Sequence, residues 1–127
     1  MFFSGKRPSN LGVTQGKLVG VSKKPNSVSS QVDAHHPAFI DALKFSGKPQ
    51  DWQALQGKIA ALKGATIISA TPNYLHIEFK TAFMGFVDDV ELFQDGKQIH
   101  VRSASRLGYS DLGMNRKRIE HLRKLVS

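Results

Sequence analysis

Cysteine is absent from this chain of 127 residues. Its absence excludes disulfides, thiolate nucleophiles and metal sites built on cysteine. Long apolar runs are also missing, since no stretch approaches the roughly 18 consecutive apolar residues that a membrane-spanning helix requires. The first residues, MFFSGKRPSN, lack the apolar segment and the cleavage site of a secretory signal. We therefore expect a cytoplasmic protein without a membrane span.

Sequence motifs for several common chemistries are missing as well. The glycine patterns that bind phosphates and the turn that presents a nucleophilic serine do not occur. His35 and His36 are adjacent imidazoles, but no carboxylate stands at a familiar ligand spacing from them, which favours a polar loop. We expect neither a metal nor a cofactor. Catalytic residues cannot be assigned, and the sequence leans away from an enzyme.

Acidic residues are few, with 10 Asp and Glu against 18 Lys and Arg, so the net charge is +8. Ten of the basic residues lie in two separate groups, five in the N-terminal third and five in the last predicted helix. No platform of exposed aromatic side chains accompanies them, which disfavours nucleic acid as a partner. A solvated basic surface explains the charge without any partner. The hydrophobic fraction of 40% suffices for one globular domain.

Composition divides the chain into two segments. Residues 1–36 are rich in Gly, Ser and Pro and lack periodicity, which predicts an irregular arm packed on an α+β domain of residues 37–127. Residues 38–46 are ambiguous between a helical turn and an extended segment. An apolar stripe then predicts a helix from Pro49 to Lys63, with Gly64 ending it.

Two antiparallel hairpins are predicted after this helix. Residues 65–80 alternate about the turn Pro72-Asn73, and one face of this hairpin is apolar. Asp95-Gly96 is a strong turn signal, and as a two-residue loop it sets the register of the second hairpin. The predicted pairs are Ala70 with Leu75, Ile68 with Ile77 and Thr66 with Phe79, then Leu92 with Ile99, Val90 with Val101, Glu91 with His100 and Asp89 with Arg102.

The second hairpin leaves one carboxylate on its apolar side. Asp88 falls there, opposite Ser103, where burial costs free energy unless the group is paired. Ser103, Ser105 and an arginine of the following loop are the candidate partners. Asp88 is therefore the first residue to locate in a structure.

The last predicted helix begins at Asn115, a good N-cap residue, and reaches Val126. Its first turn contains three basic residues, 116–118, which oppose the helix dipole and therefore predict acidic neighbours. The candidates are Asp88, Asp89 and Asp111. The predicted architecture is thus a two-layer α+β domain, ordered α-β-β-β-β-α, with both helices on one face of a four-stranded antiparallel sheet. We expect the N-terminal arm to cover the other, charged face.

Four motifs resemble a known family. They are RPSNLGV (Arg7–Val13), PNSVSSQ (Pro25–Gln31), FVDDVE (Phe86–Glu91) and RSASRLGYSDLGMNRKRIE (Arg102–Glu120), and together they are similar to the domain of unknown function 1499 family. The resemblance implies no particular activity, because the family name assigns none. Many relatives follow a signal or membrane segment, so the resemblance weakens the expectation of a cytoplasmic location.

The candidate site lies in residues 86–118, where acidic and basic side chains are interleaved. In one reading, the protein is a non-catalytic structural or binding module whose Asp/Arg network holds the fold or clamps a small anionic ligand. In a second, a hydrolase-like or metal-dependent enzyme uses Asp88, Asp89 and Glu91 with Arg102 and Arg106. A third is a basic nucleic-acid-associated protein. A protein partner and the oligomeric state stay open. The candidate residues are Asp88, Asp89, Glu91, Arg102, Ser103, Ser105, Arg106, Tyr109, Ser110, Asp111, Asn115, Arg116 and Arg118.

Overall fold

The computed structural model describes residues 5–82 and 84–126, which form an α+β fold with two helices and a six-stranded antiparallel sheet. The strands follow the order β1-β6-β5-β4-β3 across the sheet, and β2 also pairs with β6. Among the described residues, no helix has the length and apolar character needed to cross a membrane. The elements are β1 (Ser27–Ser29), β2 (Leu43–Lys44), α1 (Pro49–Ala60), β3 (Ala65–Ala70), β4 (Tyr74–Lys80), β5 (Val87–Asp95), β6 (Gln98–Ser105) and α2 (Met114–Val126).

The sheet has six strands, so the prediction of four strands was wrong. Strand β1 lies in the segment predicted to be an irregular arm, and β2 lies in the segment left ambiguous. Both pair with β6, where Val28 lies opposite Ser103 and Leu43 lies opposite Ile99. Strands of three and two residues are too short to show an alternating pattern. Their pairing depends on the edge that β6 offers, which is a tertiary feature.

Both helices pack on the same apolar core. Helix α1 begins at Pro49 as predicted, and its apolar stripe buries Trp52, Leu55 and Ile59. Helix α2 buries Ile119 and Leu122 in the same core cluster. The sheet contributes alternate residues of its strands to this cluster, including Leu75, Ile77, Val90, Leu92, Ile99 and Val101.

Gly64 lies between α1 and β3 at a point where only glycine fits. Its φ is +83°, and an added Cβ would lie 2.5 Å from the backbone oxygen of Lys80. Both the left-handed backbone and the close approach exclude a side chain. The helix itself ends at Ala60, three residues before the predicted end.

The β5–β6 hairpin has the predicted faces but a different register. Its loop is Gly96-Lys97, so Asp95 pairs with Gln98. Gly96 has a φ of +66°, and glycine at the first central position is typical of a type II′ turn. The pairing slides by two residues along β6, and a slide of two keeps each side chain on its predicted face. The observed pairs are Leu92 with Val101, Val90 with Ser103, Glu91 with Arg102, Asp89 with Ala104 and Asp88 with Ser105.

The β3–β4 hairpin contains an irregularity that the sequence did not reveal. Ala70 pairs with Leu75 as predicted, but a bulge between Ile67 and Ser69 removes Ile68 from the register. The pairs beyond the bulge shift by one residue. They are Ile67 with Ile77, Thr66 with Glu78 and Ala65 with Phe79, which corrects the predicted partners of Ile77 and Phe79.

Candidate functional site

The face of the sheet opposite the helices carries a buried charged network. Arg106 follows β6, and its guanidinium binds Asp89 of β5 with two hydrogen bonds, Nε to Oδ2 at 2.7 Å and Nη2 to Oδ1 at 2.9 Å. The same Nη2 atom lies 2.5 Å from Oε2 of Glu78 on β4. One arginine therefore joins two strands through two carboxylates, with the planar geometry that favours bidentate binding.

Electrostatics in this network favour the ionised forms. Burial alone would raise the pKa of Asp89, but the hydrogen bonds from Arg106 and His76 outweigh burial and lower it. The pKa of Glu78 is lowered chiefly by its hydrogen bond with Arg7, against the effect of burial and with the help of Arg106. The pKa of Arg106 is raised by its bond to Asp89. The network thus consists of charges that hold one another in the charged state.

Three of these side chains also form a possible set of metal ligands. Ligand atoms of His76, Glu78 and Asp89 all lie within 4.8 Å of one another, and His76 Nε2 lies 2.8 Å from Asp89 Oδ1. Nitrogen and carboxylate ligands of this kind suit a divalent transition metal. The guanidinium of Arg106, however, already binds both carboxylates. A metal would have to displace this arginine, so the residues present fit a bound cationic side chain better than an ion.

Glu91 forms a second buried centre on the same face. Its side chain is fully buried, and Oε2 accepts hydrogen bonds from the Tyr74 hydroxyl at 2.6 Å and from the Gly12 backbone N–H at 2.8 Å. Arg102 Nη1 lies 3.6 Å from Oε1. Burial, together with the hydrogen bond to Glu91, raises the pKa of the Tyr74 hydroxyl, which therefore stays a donor. The predicted partners were wrong: Asp89 binds Arg106 and His76, and Glu91 binds Arg102 and Tyr74.

The N-terminal segment lies across this charged face. Arg7 donates to Glu78, Gly12 donates to Glu91, and Arg102 Nε donates to the backbone oxygen of Gly20 at 3.2 Å. Each of these bonds links the sheet to a residue more than 70 positions away in the chain. The charged side chains of the sheet therefore supply the hydrogen bonds that an irregular segment cannot make within itself.

Asp88, the carboxylate on the helix-covered side, is paired. Its Oδ2 accepts a hydrogen bond from Arg118 of α2 at 2.8 Å, and the Arg118 guanidinium lies 4.5 Å from the centre of the Phe79 ring. A cation over an aromatic face is attracted to the ring. Asp88 was one of the predicted acidic neighbours of the basic first turn, and this pair explains how that turn is tolerated.

Asn115 is the centre of a hydrogen-bond network and not the N-cap of α2. The helix begins at Met114, and Asn115 is completely buried in its first turn. The prediction was wrong because an asparagine followed by a helical pattern looks like a cap whether or not its side chain points into the protein. Its partners are Ser103, which donates to Oδ1 at 2.5 Å, and three acceptors of its amide N–H groups: Asn26 O, Ser105 Oγ and Asp111 Oδ2.

Asp111 stabilises the start of α2. Its carboxylate accepts backbone hydrogen bonds from Gly113 at 2.7 Å and from Asn115 at 3.3 Å. A carboxylate at this position also interacts favourably with the helix dipole. Asp111 is therefore engaged on both oxygens, since Oδ2 also accepts the Asn115 side chain.

The remaining predicted residues line an open cleft of about 550 Å³ beside β1. Arg116 lies in its wall and donates to the backbone oxygens of Phe39 and Pro37 at 2.9 and 3.0 Å, so no carboxylate neutralises it in the bonds described. Exposed Lys23 and Lys24 line the cleft as well. The cleft residues are Lys23, Lys24, Pro25, Ser27, Val28, His36, Pro37, Ala38, Tyr109, Ser110, Asp111, Gly113 and Arg116.

Ser27 gives this cleft an unusual feature. Its side chain is 7% exposed, and its hydroxyl has no hydrogen-bond partner among the described residues. A buried hydroxyl without a partner costs free energy, so such groups are rare in proteins and call for an explanation. Ser27 is one of the residues that line the cleft, whose ionic side chains are mostly basic.

The structure divides the predicted site residues into three groups. Asp89, Glu91, Arg102 and Arg106 lie on the charged face; Asp88, Ser103, Ser105, Asn115 and Arg118 lie on the helix side; Tyr109, Ser110, Asp111 and Arg116 line the cleft. Tyr74, His76 and Glu78 were missed as site residues, although strand alternation already placed His76 and Glu78 on the charged face. Ser27 and the two lysines were also missed, because no motif marks them.

In a comparison with family models, a model described as "Protein of unknown function (DUF1499)" matched residues 17–126. The match confirms the resemblance drawn from the motifs, three of which lie inside it. No curated protein and no solved structure matched the chain.

Proposed function

The chain belongs to the DUF1499 family, and from that premise we propose that it is a small non-catalytic binding module. Its Asp/Arg network holds the N-terminal segment on the sheet. The cleft beside β1 binds a small anionic ligand such as a phosphate or a carboxylate. This proposal separates two roles that the sequence left combined in one set of residues.

The structural role of the arginines is supported by the partners that they already have. Arg106 binds two carboxylates, and Arg102 lies beside fully buried Glu91. An incoming anion would have to compete with these carboxylates for the same N–H groups. Both guanidiniums are therefore poor candidates for a ligand clamp, which was one of the alternatives that the sequence left open.

The catalytic alternative lacks a comparable support. Asp88 lies on the helix side of the sheet, whereas Asp89 and Glu91 lie on the charged face. The three carboxylates do not converge on one point, and each has an arginine as its neighbour. A pair of carboxylates for acid–base chemistry would need one of them free to exchange a proton with substrate.

The observation that carries the ligand proposal is an open cleft whose wall contains three basic side chains, Lys23, Lys24 and Arg116. An anionic oxygen would accept hydrogen bonds from the ammonium groups of Lys23 and Lys24. Arg116 adds positive charge to the wall, and among the described residues its hydrogen bonds go to backbone oxygens and not to a carboxylate. Asp111 is the acidic residue of the cleft, and its oxygens are turned to the N–H groups of α2.

The proposal is tested by titrating the protein with inorganic phosphate and with citrate in a calorimeter at low ionic strength. We expect wild-type protein to bind one of them, and the double variant K23Q/K24Q to bind at least about tenfold more weakly, because it loses two charge-assisted hydrogen bonds. The matched control is K44Q/K48Q, which removes the same charge from exposed positions outside the cleft. Equal weakening by both variants, or no binding by the wild type, would contradict the proposal.

Ser27→Ala gives a second arm, which tests whether the buried hydroxyl takes part in binding. The substitution removes a buried hydroxyl that has no partner, so the variant is expected to be at least as stable as the wild type in urea. Its affinity for the same anion is expected to match that of the wild type, because the hydroxyl is closed off from the cleft. A fall in affinity would show that the hydroxyl contacts the anion.

A further inference from the structure

Large apolar side chains are exposed at only one end of the described structure. They lie in two loops, residues 81–86 between β4 and β5 and residues 106–113 between β6 and α2, and at the first residue of α2. We call this set the apolar tip; its members are Met84, Phe86, Leu107, Tyr109, Leu112 and Met114, with exposed fractions of 38%, 38%, 41%, 69%, 89% and 49%.

The two loops lie at the same end of the sheet. Strand β5 starts where β6 ends, since Asp88 pairs with Ser105 and the Arg106 N–H donates to the Val87 oxygen at 3.2 Å. Helix α2 starts at that end as well, because Asn115 donates to Ser105. The loops before β5 and after β6 are therefore neighbours, and their apolar side chains form one region of the surface.

Two residues of the apolar tip have unfavourable backbone conformations. Leu112 has a φ of +55° and Met84 a φ of +69°, in the left-handed region that non-glycine residues rarely adopt. In loops that only connect two elements, such positions are usually occupied by glycine or asparagine, which tolerate this conformation. Here a large apolar side chain stands at the strained position and is also exposed to water. Such an outlier points to a function for the side chain.

The charges around the apolar tip are mostly positive. Exposed Lys117 lies in the first turn of α2, and Lys80 ends β4 beside the loop of Met84. Lys6 follows Gly5, and a Cβ added at Gly5 would lie 3.2 Å from the Cγ atom of Leu107. The carboxylates at this end are already engaged, Asp88 by Arg118 and Asp111 by the N–H groups of α2. The surroundings of the apolar tip thus complement a negatively charged surface.

We propose that the apolar tip docks on an anionic lipid bilayer. Leucine and methionine side chains on protruding loops reach the apolar boundary below the headgroups, tyrosine is suited to the interface itself, and lysines bind anionic headgroups. The apolar side chains stand on two separate loops and on the start of α2, which suits a deformable partner. This site is separate from the proposed anion cleft, although Tyr109 borders both.

The test is co-sedimentation of the full chain with vesicles at low ionic strength. Vesicles of phosphatidylcholine alone are compared with vesicles that contain equal parts of phosphatidylcholine and phosphatidylserine. We expect binding to the anionic vesicles, little binding to the neutral ones, and release as sodium chloride is added, because screening weakens the lysine contacts. Failure of the wild type to sediment with anionic vesicles would overturn the proposal.

The double variant M84N/L112N separates docking from folding. Asparagine tolerates the left-handed conformation, so the variant is expected to fold with at least wild-type stability while losing two apolar side chains. We expect the fraction bound to anionic vesicles to fall at least fivefold, with phosphate binding in the cleft unchanged. Wild-type vesicle binding by this variant would overturn the proposal.

Two further measurements complete the test. The charge variant K6Q/K117Q is expected to bind anionic vesicles more weakly than K44Q/K48Q, which has the same net charge; equal binding would overturn the proposal.

Sedimentation velocity without lipid tests the alternative that the apolar tip binds a second copy of the chain. Concentration-dependent self-association that M84N/L112N abolishes, together with no vesicle binding, would assign the apolar tip to a second copy of the chain.

Discussion

The two faces of the sheet both bury charge, but they neutralise it in different ways. On the helix side, Asp88 has a single ionic partner, Arg118, set over the ring of Phe79. On the opposite face, Asp89 and Glu78 share Arg106, and each has a further partner in His76 or Arg7. Loss of Arg118 leaves one carboxylate without its partner, whereas loss of Arg106 affects two carboxylates that each keep another partner. The difference predicts which substitutions can be compensated.

Arg106→Met is expected to have the largest effect. It leaves buried Asp89 without its bidentate partner and weakens Glu78 at once, and the loss of one partner of a buried ion pair costs about 3–5 kcal/mol. Urea denaturation monitored by fluorescence of buried Trp52 measures this loss. Arg7→Met is the matched control, because Arg7 binds the same Glu78 from an exposed position and should have a small effect. Equal losses for the two variants would show that burial does not set the cost.

Arg118→Met breaks the isolated pair and is expected to cost about 2–3 kcal/mol, since Asp88 is left unpaired on the core side. The double variant D88N/R118M should recover much of this loss, because no ionised group then remains there. The measurement is a double-mutant cycle from urea denaturation. The corresponding variant D89N/R106M should recover less, since Glu78 and His76 still lose a partner. If both double variants recovered a similar share of the lost stability, the isolated pair and the shared network would not differ in the way proposed.

Tyr74→Phe tests the second centre of the charged face. It removes a hydrogen bond to fully buried Glu91, and bonds to charged groups contribute about 1.5–3 kcal/mol each. Glu91 keeps Gly12 and Arg102 as neighbours, so the lower part of this range is expected. Phe93→Leu is a control for altered packing on the same face, since Phe93 pairs with Tyr74 across the strands. A loss no larger than in this control would mean that the hydroxyl does not matter.

Acid is expected to destabilise the folded protein by protonating the carboxylates of the charged network. The pKa values of Asp89 and Glu78 are lowered in the folded protein, so their contribution is complete above the unfolded-state pKa values near 4 and is lost as the pH falls through the lower folded values. Melting temperatures measured between about pH 7 and pH 3 should therefore fall at the acid end. The fall should be shallower in D89N. An identical slope in D89N and the wild type would contradict the assignment.

Much of this comparison could be predicted from the sequence, and the rest depends on features that a sequence pattern does not contain. Strand alternation placed Asp88 on one face and Asp89 with Glu91 on the other, and a register error of two residues cannot change a face. The same error changes every partner, which is why Asp89 was paired with Arg102. The bulge at Ile68 and the strands of three and two residues are too short to produce a periodic pattern in the sequence, so they could not be predicted from one. Asn115 was identified as a site residue but in the wrong role. An asparagine at the start of a helical pattern can cap the helix or form a buried hydrogen-bond network, and the sequence does not distinguish the two.

The cleft was harder to predict for a related reason. Tyr109, Ser110 and Arg116 were candidates because of their neighbours in the sequence. Lys23, Lys24 and Ser27 join them only because β1 pairs with the edge of β6. A site assembled from both ends of the chain leaves no local motif.

The attachment of the N-terminal segment to Glu78 and Glu91 also has a consequence for the order of folding. Its partners lie 71 and 79 residues away in the chain, on central strands. Contacts between distant residues form slowly, because the loop between them must close before any bond is gained. The hairpins of β3–β4 and β5–β6 join near neighbours and can form first. The N-terminal segment is made before the strands that it binds, yet it should be among the last described parts of the chain to reach its native position.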